Sequence, residues 1–175
     1  MKKHKIISGI AVAFCLILSI AMMWQHQKIK KEIIRDFALE HGVLEVGLKD
    51  TLNEYEQSSN QVQLAQRLDI ARMQVHRASD LPKISQLNGV SYAESIPYLS
   101  EIANEFDYSL FTTLVDAAES ARHEQLTEQQ LQELTDYHKL LKSFLDTMIT
   151  KDFKEKSLNE LEENLASFYS DYREK

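Results

Sequence analysis

From Ile6 to Met23 the chain is apolar without interruption (IISGIAVAFCLILSIAMM), and only Ser8, Gly9 and Ser19 are weakly polar. As a helix this run spans about 27 Å, close to the hydrocarbon thickness of a bilayer. After Trp24 the apolar positions thin to helical spacing. Ile33, Phe37, Leu44, Leu48, Leu52 and Tyr55 fall on one side of a helix, so the apolar rod is expected to run on into the first polar helix. Leu39, Val43 and Val46 make a second, smaller apolar face, which implies a helix touching more than one neighbour. Gly42 and Gly47 weaken this helix, at about 1 kcal/mol each relative to Ala, and a bend or an end is expected near Gly42.

Four further segments follow. Leu64, Leu68, Ala71, Val75 and Ala78 step 4-3-4-3 and predict a second helix over residues 61–80. Residues 80–95 hold Pro82 and the pair Asn88-Gly89, both turn signals. As the longest irregular segment they are the expected place for a partner contact, against the plainer reading of a crossover at a bundle end. Ser95 is expected to cap a third helix with Pro97 in its first turn. Leu99, Ile102, Phe106, Leu110, Thr113 and Ala117 form its seam, with an end near residues 122–124. Thr127 with Gln130, and Ser157 with Glu160, are capping boxes that open two more helices. Their seams are Leu131, Leu134, His138, Leu141, Leu145, Met148 and then Leu158, Leu161, Leu165, Phe168, Tyr172.

The predicted fold is all-α: a single N-terminal transmembrane helix followed by an antiparallel up-and-down bundle of four to five helices. Residues 1–5 are a short basic tail, 6–24 the anchor and 25–175 the helical bundle domain. Composition agrees, since the whole chain contains only four Gly and two Pro.

The ends of the apolar run bear on location. Lys2, Lys3 and Lys5 precede it, and Trp24 at its far end suits a membrane–water interface. An uncleaved anchor is therefore expected, with the N-terminus cytoplasmic and the bundle outside the cytoplasm. The basic residues Lys28, Lys30, Lys31 and Arg35 pull against that orientation. The alternative is a secreted product cleaved near Ala21, with Ser19 and Ala21 as the small pair. Cys15 is the sole cysteine, so the polar part has no disulfide, as a bacterial extracytoplasmic domain permits. Bulky Phe14 before it and apolar sequence after it argue against lipid attachment at Cys15.

The net charge is -7 and is unevenly spread. Residues 24–90 carry nine Lys/Arg and nine Asp/Glu, whereas residues 91–175 carry eight and eighteen. The acidic C-terminal half argues against nucleic acid as a partner, because phosphate binding needs a basic face.

Catalytic motifs are missing. There is no zinc-protease pair of histidines, no Glu-x-x-His of the di-metal bundles, no phosphate loop and no Gly-x-Ser-x-Gly elbow. Neither an enzyme nor a cofactor or metal site is expected. Asp116, Glu119 and His123 share a helix face, but one helix supplies only part of a metal site. Two features remain as low-ranking ligand or partner candidates. Arg67, Arg72 and Arg77 recur every five residues and spiral round the second helix, as surface charges or as the wall of an anion groove. His138 occupies a seam position where Leu is expected; it can fix pairing register or act as a proton-sensitive group. On sequence alone, replacing it with Leu is expected to raise the melting temperature.

The expected function is that of a membrane-anchored helical interaction module, an accessory or regulatory subunit working through protein contacts outside the cytoplasm. The alternative is an extracytoplasmic small-ligand or pH sensor that signals through a partner. The expected partners are the bilayer, through residues 6–24, and a protein.

Overall fold

The structure is a computed structural model that describes residues 2–174 except 58, 59, 85, 88, 89, 92–94 and 124; side chains are described from residue 12 onward, apart from 57–59, 81–94 and 124. The described residues form a five-helix, all-α fold with one two-residue antiparallel ladder, Gln86–Leu87 with Val90–Ser91. The expected Asn88-Gly89 turn lies outside the described residues.

Helix α1 runs unbroken from Lys2 to Gln57. At 1.5 Å per residue that is about 84 Å, far longer than the bundle it joins. It does not end at Gly42. A Cβ there would meet Leu145 and Ile149 at ordinary contact distances, so Gly42 marks a close approach by the fourth helix and not a break. Side chains from Val12 to Trp24 are exposed throughout, and burial begins only around Ile34. The N-terminal part of α1 is thus an apolar rod projecting from the body. By length and composition it is a candidate membrane span.

Helix α2 covers Gln61–Ile84, and all five of its seam residues from Leu64 to Ala78 are buried. Helix α3 is continuous over residues 99–123: a turn Leu99–Glu101, a π-helical turn Ile102–Phe106 and the segment Asp107–His123. It does not start at Ser95. Its cap is Tyr98, in the left-handed region at φ 64°, with no side-chain cap bond. Pro97 explains the shift, because the residue before a proline is pushed out of the α region. Of the expected seam, Leu99, Ile102, Phe106, Leu110 and Ala117 are buried and Thr113 is only half-buried; Asp107, Leu114, Ala118 and Ala121 are buried beside them.

Helices α4 (Glu128–Met148) and α5 (Leu158–Arg173) open on the expected capping boxes. The Thr127 and Ser157 hydroxyls accept from the Gln130 and Glu160 amides, and those side chains accept from the cap amides in return. The chain forms a helical bundle in which α1 packs on α2, α2 on α3, α3 on α4 and α4 on α1; α5 lies against α4 and α1. Aromatic rings fill the region next to α5. Phe106 meets Phe168 and Tyr172 edge-on, each at 5.5 Å, and Phe144 meets Phe168 at 4.8 Å.

Candidate functional site

Two places in the body depart from a plain apolar bundle. The first is central. On α1 the core positions Phe37, Leu44 and Leu48 leave one step unfilled, and His41 fills it. On α3 Asp107 follows the π turn directly and is buried on the same face as Ala103, Leu110 and Leu114. His41 Nε2 lies 2.8 Å from Asp107 Oδ1, with the side chains 1% and 0% exposed. His41 Nδ1 lies 2.8 Å from the carbonyl oxygen of Phe37, one turn earlier.

A carbonyl only accepts, so Nδ1 carries a hydrogen. Nε2 then faces a carboxyl oxygen, and both nitrogens are satisfied either by an imidazolium beside an ionised Asp107 or by a neutral ring accepting from a protonated one; the charge balance at the ring favours the first. Burial pulls the imidazolium toward losing its proton. The Asp107 charge and hydrogen bond, the Phe37 carbonyl and nearby Glu40 outweigh it, and the His41 pKa stands above the ordinary histidine value. Phe37 and Phe144 enclose the ring at 4.2 and 5.1 Å. Asp107 also forms part of the wall of a cleft of about 260 Å³ between α2 and α3, where His76, Asn104 and Phe111 are its other main lining groups.

The second place is on the surface. Leu39, Val43 and Val46 of α1 are 53%, 51% and 55% exposed, and Ile70 of α2 faces the same groove at 54%. Gly42 and Gly47 lie along the α1 wall of this groove, Ile149 at the end of α4 closes one side, and Asp50 and Arg67 stand along it. The volume is about 530 Å³. Gly47 lets α2 come close, since a Cβ there would overlap the Gln74 amide at 2.3 Å.

No protein family, curated protein or solved structure matches this chain.

The residues singled out from the sequence fall elsewhere. His138 donates from Nε2 to Glu45 Oε1 of α1 at 2.8 Å, and the two side chains are 21% and 17% exposed. The seam position therefore carries an α1–α4 polar link. Its partner changes the expected effect of a Leu replacement, which alone would strand the Glu45 carboxylate. Replacing both His138 and Glu45 by Leu is expected to raise Tm, because a partly buried polar link is often worth less than well-packed apolar groups. Thermal melts of the single and double variants check this; a double variant no more stable than His138→Leu alone would contradict it.

The three arginines are each turned to a different acid. Arg67 Nε lies 3.5 Å from Glu54 and Arg77 lies 3.1 Å from Glu40, both on α1; Arg72 lies 3.4 Å from Asp69 on its own helix. Of the suggested metal set, Glu119 is engaged by His123 at 3.1 Å and by Arg122 at 3.0 Å. Among the described residues no group of His, Cys, Asp and Glu is placed to hold a metal ion.

Sequence reasoning missed the His41–Asp107 pair. The signal for His41 was present, as a polar residue at the vacant step between Phe37 and Leu44. The signal for Asp107 was fainter: it continues the 4-3-4-3 stripe Ala103, Asp107, Leu110, Leu114, Ala117, but a carboxylate there reads as a surface charge until a buried partner is found.

Proposed function

We propose that this chain is a membrane-anchored helical interaction module, in which an up-and-down bundle is held at the bilayer by the N-terminal rod and works through protein contacts outside the cytoplasm. One observation carries the reading: α1 is a single helix bearing both an exposed apolar stretch at its N-terminal end and an uncovered apolar face on the body. Water tolerates neither well, because exposed apolar patches beyond a few hundred Å² mark interaction surfaces or membrane contacts. Lipid suits the first and a protein suits the second. Lys28, Lys30 and Lys31 follow Trp24 and would lie at the headgroup boundary.

The test is alkaline extraction of membranes from cells making the full chain, with protease protection of a tag at the C-terminus. The chain is expected to stay in the membrane fraction and its tag to be digested from outside. Recovery of the full-length chain in the soluble fraction would overturn the reading.

A second reading is favoured by the buried pair of His41 and Asp107: a proton-sensitive module that passes its state to a partner. A raised histidine pKa in the centre of the bundle links protonation to packing of α1 against α3.

A further inference from the structure

We propose, on the basis of that membrane-anchored reading, that the groove between α1 and α2 seats a second copy of this chain, the two α1–α2 pairs packing face to face about a twofold axis parallel to α1. Helix α1 carries two apolar stripes. Phe37, Leu44 and Leu48 are consumed by the chain's own core, whereas Leu39, Val43 and Val46 remain more than half exposed. The second stripe steps 4-3, the spacing of a helix–helix seam. Ile70 extends it onto α2 at 54% exposure.

Charge selects the occupant. The exposed stripe is a contiguous apolar patch of the kind that marks an interaction surface. The groove also carries one acid and one base on opposite walls. Asp50 stands on α1 two turns before Gln57, and Arg67 on α2 under two turns after Gln61, so the two are at matching heights. A twofold axis along the groove sets the α1 wall of one copy against the α2 wall of the other. Each Asp50 then meets the partner's Arg67. Arg67 pairs with its own Glu54 through Nε at 3.5 Å, and Asp50 has no ion pair among the described residues. The face is thus complementary to itself in shape and in charge.

Anchoring supplies the remaining condition. Two chains held in one membrane by the start of α1 stand parallel and at equal depth, which is the symmetry this pairing requires. Confinement to a plane also raises their effective concentration.

The test uses the full chain in phosphatidylcholine vesicles, with self-association read by energy transfer between two dye-labelled populations. Wild type is expected to associate. Val43→Glu is expected to weaken association by more than about tenfold, since it presses an unpaired charge against the partner's apolar α2 wall. Val43 is exposed, so Tm should stay within about 2 °C of wild type, which separates lost association from lost folding. Asp50→Arg is expected to weaken association, and the swap Asp50→Arg with Arg67→Asp to restore it. In a Cys15→Ser background, chains carrying Asp50→Cys are expected to form a disulfide with chains carrying Arg67→Cys when mixed. A wild type that stays monomeric, or one whose association ignores both Val43→Glu and the charge swap, would overturn the proposal. A monomeric chain that crosslinks through Val43 to a different membrane protein would overturn it while leaving the interaction-module reading in place. A monomer that crosslinks to nothing would remove both.

Discussion

Asp107→Ala is expected to destabilise the fold by about 3–5 kcal/mol, the usual cost of removing one partner from a buried ion pair. That is a large share of the stability of an ordinary domain, about 5–15 kcal/mol. The cost comes from the group left behind. His41 is buried, its Nδ1 is committed to the Phe37 carbonyl, and without Asp107 its Nε2 faces no acceptor. Asp107→Asn is expected to cost much less. A neutral His41 can keep its hydrogen on Nδ1 and accept at Nε2 from the new amide.

The two variants also differ in their response to pH. In the wild type the His41 pKa is raised on folding, so its contribution is fully present below the unfolded value of about 6.5 and is lost as pH rises through the folded value. The ionisable groups acting on it are Asp107 of α3 and its sequence neighbour Glu40. The advantage in Tm of wild type over Asp107→Asn should therefore be greatest near pH 6 and shrink as pH rises above the ordinary histidine range and through the folded value. Thermal melts across that range read it directly, and a difference that does not change with pH would show that His41 is neutral in the folded chain.

Phe144→Ala is the other large loss, expected at about 3–5 kcal/mol. Phe144 is fully buried where α4 meets α1 and α5, against His41, Phe37 and Phe168. Its removal opens a cavity beside a charged ring, and the rings around it are fixed to two helices, Phe37 and His41 to α1 and Phe168 to α5, and cannot all close in. Because Phe144 and Asp107 both touch His41, their effects should not add. A double-mutant cycle read by denaturant melts is expected to show a coupling of about 0.5–3 kcal/mol. Strict additivity would mean that the aromatic wall and the ion pair act independently.

The helices themselves could be read along the chain. Leu64 to Ala78 and Leu161 to Phe168 are buried as their spacing requires, and both capping boxes form. Local pattern decides these features, because a side chain's face follows from its place in a 3.6-residue turn, and a cap involves residues three apart. Gly42 and Ser95 were less legible. The first is a contact point and not a break, since α4 packs against it. The second loses its cap to the preference Pro97 imposes on its neighbour.

By itself the sequence determined an all-helical chain with an apolar N-terminal rod, an acidic second half and a second apolar stripe at Leu39, Val43 and Val46. Tertiary structure alone decided that this stripe stays uncovered and that Ile70 joins it from another helix. It alone decided that Glu45 meets His138, and that Asp107 turns into the core to face His41. Spacing fixes where a side chain sits around its own helix. Which helix stands opposite depends on packing between segments about 60 to 90 residues apart, and no local pattern encodes that.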